Sequence, residues 1–344
     1  MNSENRNEII KLLKDSNLKL SDFHDVTSLT DEYRDYSENI QSKKIDLGFK
    51  KLTKLLRGLR TQELMTIISK TGVGKSALIL NFMINFVKKT NELSVLFSCE
   101  MSSIGIAERI FQIELDHFGK HIEENFITKN EKFINKCYNQ KKSLKNFVII
   151  TNRIDVNIIP DYIKIIEKMK NRKVRLIGID YIGLLNNKMF TKDEYLRNTD
   201  NMIKLYSYAK TLDAAIINLS QTSRADIKSG EGLTLYSGKS SGEVENSSDF
   251  VLSLETVKDT SEIKVEKEAW DVIKPINKKY QNEHKSKNED TKLTFNLYDL
   301  MKLSVHKNRR GQTGCTYVTF NRKNLRIKEY DKKEFEDENK ETLF

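Results

Sequence analysis

Residues Ile68 to Ser76 read ISKTGVGKS, preceded by the apolar residues Leu64, Met65 and Ile67. A helix-like stretch, ALILNFMINFVKK, follows directly. Strand, glycine-containing loop, Gly-Lys-Ser and helix make the setting of a phosphate-binding loop. Backbone N–H groups of Lys70, Thr71, Gly72, Val73 and Gly74 would face phosphate oxygens, and the helix N-terminus favours their negative charge. Lys75 would reach the β- and γ-phosphates, and the Ser76 hydroxyl would take a place on Mg²⁺. The pattern G-x-x-x-x-G-K-[ST] departs at its first position, where this chain has Ser69. Gly74-Lys75-Ser76 alone would occur by chance in roughly one chain in five at ordinary residue frequencies. The strand–loop–helix setting therefore carries the assignment.

Such a loop needs partners, and three strand ends offer them. VRLIGID ends in Asp180, which at the C-terminal tip of a parallel strand would lie in the ligand crevice and hold Mg²⁺ with Ser76. Capping of the next turn is the structural alternative. SVLFS leads into Cys99-Glu100-Met101, where Glu100 could orient and deprotonate an attacking water or simply start a helix. AAIINLS ends at Gln221, which could sense a γ-phosphate. His117 and His121 have a metal-compatible spacing but no ordered acid partner, and read as surface histidines.

The elements that would position these residues alternate along the chain. Strands are expected at Glu63–Ser69, Ser94–Ser98, Phe147–Thr151, Val174–Asp180, Ala214–Ser220 and Phe250–Leu254. Helices are expected at about 76–89, 102–116, 160–171 and 194–212. This is the α/β pattern of a mainly parallel central sheet flanked by helices. Three more strand-like runs, Leu300–His306, Cys315–Asn321 and Leu325–Glu329, are joined by short turns and suit C-terminal antiparallel strands. Residues 1–45 are polar, with helical stretches near Glu4–Asp15 and Asp31–Lys44; 46–330 form the main domain. Residues 257–292 read as a charged insertion with one helical turn around Trp270, and 331–344 as an acidic, disordered tail.

The 344 residues carry a net charge of +10, which suits an anionic partner or a lysine-rich solvated surface. Cys99, Cys137 and Cys315 are widely spaced, which fits a reducing, cytoplasmic compartment and suggests neither a disulfide framework nor a zinc ribbon. No apolar run approaches the roughly 18 residues of a membrane span.

Taken in order, GFKKLTKLLRGLRTQELMTIISKTGVGKSALILNFMINF, LFSCEMS, VRLIGIDYIGLL, IINLSQTSR, SGEVENSSD and HKNRRGQTG resemble the C-terminal ATPase domain of DnaB-type replicative DNA helicases. The resemblance covers roughly residues 46–330 and implies a RecA-like P-loop NTPase fold with ATP and Mg²⁺. It implies phosphate binding by Lys75, the Walker B role for Asp180, the catalytic base for Glu100 and a sensor role for Gln221. The family's late Lys-x-Arg-x-Gly motif falls on Lys307, Arg309 and Gly311, so Lys307 and Arg309 would reach the neighbouring subunit's ATP, with Arg310 one register away. Single-stranded DNA would meet Asn186–Arg197 and Thr222–Ser248, the latter carrying Arg224, Lys228, Lys239 and Gly242. The family's Arg-Glu-Ser-Gly run there reads Lys239-Ser240-Ser241-Gly242, without the Glu.

The implied function is a ring-forming, homo-hexameric, ATP-dependent helicase that translocates on single-stranded DNA and unwinds duplex during replication. A RecA/RadA-type recombinase, or a non-motor loader or adaptor, shares much of the pattern. About 45 residues precede the matched region, as in a phage or mobile-element version without the helical N-terminal domain. That leaves primase and loader as open partners, and the Asp31–Lys44 helix as a linker to the next subunit. The acidic tail with its terminal Phe344 could dock on a polymerase.

Overall fold

The computed structural model describes residues 3–16, 25–189, 192–222, 241–284 and 296–340. Met1–Lys44 and Ile45–Phe344 are two compact units. The first contains helices Ser3–Asp15 and Val26–Glu38 and a short turn of helix, Ile40–Lys43. The second helix starts earlier than its apolar content indicates because Asp25 caps it. Asp25 Oδ1 accepts from the Ser28 N–H at 2.7 Å, and Ser28 Oγ accepts from the Asp25 N–H.

Among the described residues the larger unit is built on a nine-stranded sheet: β1 (Leu64–Ser69), β2 (Leu93–Ser98), β3 (Phe147–Ile150), β4 (Val174–Asp180), β5 (Ala215–Gln221), β6 (Phe250–Thr256), β7 (Tyr298–Asn308), β8 (Gly314–Asn321) and β9 (Ile327–Glu329). Their order is β9-β8-β7-β6-β1-β5-β4-β2-β3. β1 to β6 run parallel, and β7 to β9 continue the sheet antiparallel. Every expected strand is present, with ends shifted by at most two residues.

The parallel strands are apolar on both faces because helices cover both. Alternation sends Met65 and Ile67 of β1 to one core and Leu64 and Ile68 to the other. The first core is filled by helix Lys75–Thr90, whose Leu78, Phe82, Met83 and Phe86 are fully buried. A helix apolar nearly all round belongs inside, and this one packs over β4 and β2. It ends at Asn91 in a left-handed conformation, with Lys88 and Lys89 in the last turn where cations are favoured. Helices Ser103–Leu115, Ile159–Lys170 and Glu194–Thr211 match their expected spans. Two more, Gly119–Ile127 and Glu131–Ser143, lack a legible stripe and form a small satellite core of Ile122, Phe133 and Cys137.

Two expectations need correction. Trp270 lies in a 21-residue helix, Lys264–His284, rather than in a single turn. Ala269, Trp270, Ile273 and Ile276 bury one face of it against Val257 and Leu300, a stripe hidden in sequence by the surrounding charge. The acidic tail is also partly folded. Asp331 caps helix Lys332–Glu338, and Phe335, 6% exposed, packs edge-on to Tyr298 at 5.0 Å and near Tyr330 at 5.9 Å. One buried aromatic is enough to hold a short acidic segment. Phe344 lies outside the described residues.

Phe335→Ala should destabilise the larger unit by about 3 kcal/mol. Denaturant titration, with hydrogen exchange rising first at 332–338, is the measurement. An unchanged midpoint would mean the helix contributes no packing.

Candidate nucleotide-binding site

β1 ends at Ser69, in register with Gln221 of β5 and Leu254 of β6; further along, Ser98 of β2 pairs with Asp180 of β4. The C-terminal strand ends thus bring Ser69, Gln221 and Asp180 to one edge, the position where α/β sheets bind ligands. The loop from Lys70 bends back through Gly72 (φ +83°) and Gly74 (φ +111°), both in the region that favours glycine. Thr71 and Gly72 are exposed, while Ser69 is fully buried. Its hydroxyl donates to Lys70 O at 3.0 Å, so serine fits where the pattern has glycine.

Lys75 is 7% exposed and donates from Nζ to Ser69 O at 3.2 Å and Lys70 O at 3.1 Å. Burial pulls its pKa down, opposed by the charges of Asp180 and Glu100. Asp180, 2% exposed, is shifted upward mainly by burial, with Glu100's charge adding to the rise. A hydrogen bond with Ser76 and the charges of Lys75 and Arg109 oppose that shift. Glu100, exposed just beyond β2, interacts electrostatically with both Lys75 and Asp180. The structure therefore assembles Lys75, Ser76, Glu100 and Asp180 at one place. It adds Arg109, which sequence reasoning missed; its position nine residues after Glu100 on the next helix was the available signal.

The donor set fits Mg²⁺. Asp180 Oδ1 is buried without a hydrogen-bond partner, and its carboxylate is bonded to the Ser76 hydroxyl. A carboxylate beside a hydroxyl supplies the hard oxygen ligands this ion takes, leaving substrate phosphates and water to complete the shell. Among the described residues no cluster of three or more His, Cys, Asp or Glu could hold a metal. His121 Nε2 instead meets Asn125 Nδ2 at 3.1 Å.

Lys307 and Arg309 lie at the other end of the sheet. Lys307 pairs with Val251 and Asn308 with Phe250, while Phe250 is level with Met65 near the start of β1. Arg309 N–H donates to Asp249 O at 3.1 Å, and Asp249 N–H donates to Leu64 O at 2.8 Å. Five residue steps along β1 separate Leu64 from Ser69, about 16 Å at strand rise. The chain's own phosphate loop and its late basic motif are therefore held apart. Arg310 is committed elsewhere: its Nε lies 2.8 Å from Glu63 Oε1, and its guanidinium sits 5.2 Å from the Phe250 ring centre. Its side chain is 18% exposed against 41% for Arg309.

Of the expected DNA-contacting residues, Arg224, Lys228 and Lys239 lie outside the described residues. Gly242 is exposed in helix Ser241–Ser247, with no atom within 4 Å of where a Cβ would stand. The segment from Asn186 begins well anchored. Lys188 N–H donates to Asp155 Oδ2 at 3.0 Å, and Asn187 Nδ2 donates to Asp200 and Asn201 at 2.6 and 3.0 Å.

The family model for the DnaB-like helicase C-terminal domain matches residues 44–329. The chain belongs to that family. Replicative DNA helicase DnaB of Mycoplasma genitalium is 26% identical over 286 residues, which is 79% of this chain and 53% of that protein. The chain spans 53–62% of the length of that protein and its Helicobacter pylori and Geobacillus stearothermophilus counterparts. In fold, it resembles a solved ATPase domain, with TM-score 0.68, 20% identity, and coverage of 89% of this chain and all of that one. A DnaB-like replicative helicase solved for its interactions with primase gives TM-score 0.66 and 19% identity, covering 94% and 71% of the two chains. The fold of this family member is accordingly RecA-like. No helix among its described residues is long and apolar enough to cross a membrane.

The buried carboxylate sets a pH test. Asp180 has a raised folded pKa against an ordinary value of 3.8. Between those two values the folded state holds more protons than the unfolded one, so stability falls as pH rises through the window. Asp180→Asn should remove that slope and raise the melting temperature of nucleotide-free protein at pH 7, while weakening Mg²⁺-dependent nucleotide binding. A variant less stable than the parent across pH 4–7 would contradict this account.

Proposed function

We propose that the chain is the motor of a ring-forming, ATP-driven DNA helicase acting in replication. The observation that carries the reading is the separation of two half-sites across one sheet. Lys75, Ser76, Asp180 and Glu100 gather at the C-terminal strand ends, and Lys307 and Arg309 at the opposite end. A single subunit cannot bring the second set to its own phosphate loop. A second copy, related by rotation, can.

In this mechanism the loop from Ser69 to Gly74 cradles the phosphates, with Lys75 leaving the Ser69 and Lys70 carbonyls for the β- and γ-phosphates. Ser76 and Asp180 would hold Mg²⁺, which neutralises charge on the phosphates when bound. Glu100, exposed at the strand tip, takes the proton from the attacking water. Arg309 of the neighbour stabilises the charge that builds up on the transferred group, a contribution typically worth about 10³–10⁵ in rate. Gln221, level with Ser69, passes the state of the γ-phosphate to the residues after it, among them Arg224, Lys239 and Gly242. These hold single-stranded DNA through its phosphates and without sequence preference, so affinity should fall steeply with salt. The primase contact named for one structural neighbour makes a primase a candidate partner; a loader or polymerase is a further candidate.

Purified protein imaged in MgATP should form closed six-membered rings, with hydrolysis stimulated by single-stranded DNA. Filaments on DNA would favour a recombinase, and DNA-indifferent monomers an adaptor. Arg309→Ala and Lys75→Ala should each lose nearly all hydrolysis. Mixed, they should recover a measurable fraction, because some interfaces join an intact loop to an intact finger. No recovery from mixed rings would reject the shared site.

A further inference from the structure

Lys307 and Arg309 are already engaged inside their own subunit. Arg309 Nη1 donates to Tyr206 Oη at 2.9 Å and lies 3.3 Å from Asp249 Oδ1; Nη2 donates to Asn246 O at 2.9 Å. The guanidinium carbon stands 5.4 Å from the centre of the Tyr206 ring, and the Lys210 ammonium 4.2 Å from the same point. Lys307 Nζ donates to Glu245 O. Glu245 and Asn246 belong to the last turn of helix Ser241–Ser247. Carbonyls at a helix C-terminus lack partners within the helix, and the dipole there favours cations. The two basic side chains therefore act as a cap on that helix.

The arrangement sets up a competition. Both terminal nitrogens of the Arg309 guanidinium are occupied, and that planar fork is what arginine uses to grip a phosphate from two sides. It cannot fully serve Tyr206, Asp249 and Asn246 while gripping a phosphate of another subunit. The helix that would lose its cap follows directly on residues 223–240, which contain Arg224, Lys228 and Lys239.

We propose that Tyr206, Asp249 and the last turn of helix Ser241–Ser247 form an internal holding site for Lys307 and Arg309. Nucleotide phosphate in the neighbouring subunit draws the pair off, and the helix is loosened as it leaves. This rests on the shared-site reading above. Tyr206 is a positioning residue, since it touches no nucleotide and acts only through Arg309. Linkage makes the coupling reciprocal. A DNA strand that loosens the helix frees the pair for the neighbour, which supplies a physical route for stimulation of hydrolysis by DNA.

Tyr206→Phe tests the proposal in the full, assembled chain, since it keeps the ring and removes only the oxygen that accepts from Arg309 and from Lys210. Loss of the charged hydrogen bond to Arg309, discounted for that residue's partial exposure, should raise hydrolysis without DNA about three- to tenfold. The rate with saturating single-stranded DNA and the KM for ATP should stay as they were, so the stimulation ratio shrinks by the same factor. Hydrogen exchange supplies a readout in the parent protein itself. Amides of Val244–Ser248 should exchange faster with a non-hydrolysable ATP analogue than without, and without nucleotide should exchange faster in Tyr206→Phe than in the parent. An unchanged or lower DNA-free rate in folded Tyr206→Phe, or exchange at Val244–Ser248 indifferent to the analogue in the parent, would overturn the holding site. Recovery in the Arg309→Ala and Lys75→Ala mixture alongside either result would reject the holding site alone. No recovery in that mixture would reject the shared site, and the holding site with it.

Discussion

The in-register parallel pairing of β1 with β5 and β6 governs where every reactive group can lie. A parallel strand has two chemically different ends, and here both are in use. At the C-terminal end the chain leaves Ser69 through two left-handed glycines and enters a buried helix. At the N-terminal end Asp249 closes a ring of hydrogen bonds with Leu64 N–H and O, and offers its own carbonyl to Arg309. Because β6 runs parallel to β1 and β7 antiparallel to β6, the late basic motif is delivered to the start of β1 by topology alone. Side-chain motion cannot undo a separation set by the length of a strand.

The cost of the phosphate-loop edge is visible in the burial of its charged groups. Lys75 and Asp180 are both nearly buried, and burial shifts each toward its neutral form despite their mutual attraction. A buried pair of this kind weakly supports stability at best. In the proposed site its value lies in what it would bind: a cation released from two carbonyls would meet phosphate, and an unpartnered carboxylate oxygen stands beside a hydroxyl. Local stability and readiness for a charged ligand oppose each other at this edge, and the apolar helix behind it supplies the rigidity.

Much of this was legible in sequence because it rests on continuous apolar runs. β4, read as Val174–Asp180, has those bounds in the structure, since six of its seven residues are buried, on both faces of the sheet. The strand tips at Ser69, Glu100, Asp180 and Gln221 followed from the same runs. Less legible were features that depend on contacts distant in the chain. The Lys264–His284 helix needed Leu300 and Phe335 to reveal its apolar face, and the tail helix needed Tyr298. Arg309 and Arg310 are neighbours in sequence and indistinguishable by type. Only the strand pairing shows that one is tied to Glu63 while the other turns to Tyr206. Tyr206 itself carries no sequence signal, being one of several tyrosines on an amphipathic helix.

These contacts also bear on why a motor of the proposed kind would avoid idle hydrolysis. A finger held rigidly in a reactive geometry would act on any nucleotide that bound next to it. A finger that must first leave Tyr206, Asp249 and the Asn246 carbonyl acts only when the phosphate outcompetes them, or when something else weakens their hold. The hold consists of hydrogen bonds to partly exposed groups, each modest in net strength, so small changes at the helix can shift it. A salt bridge as enclosed as Arg310–Glu63 would resist such changes. Under the proposal, the division of labour between adjacent arginines, one fixing the hairpin to the sheet and one exchanging partners, would let the hairpin be rigid and its tip switchable.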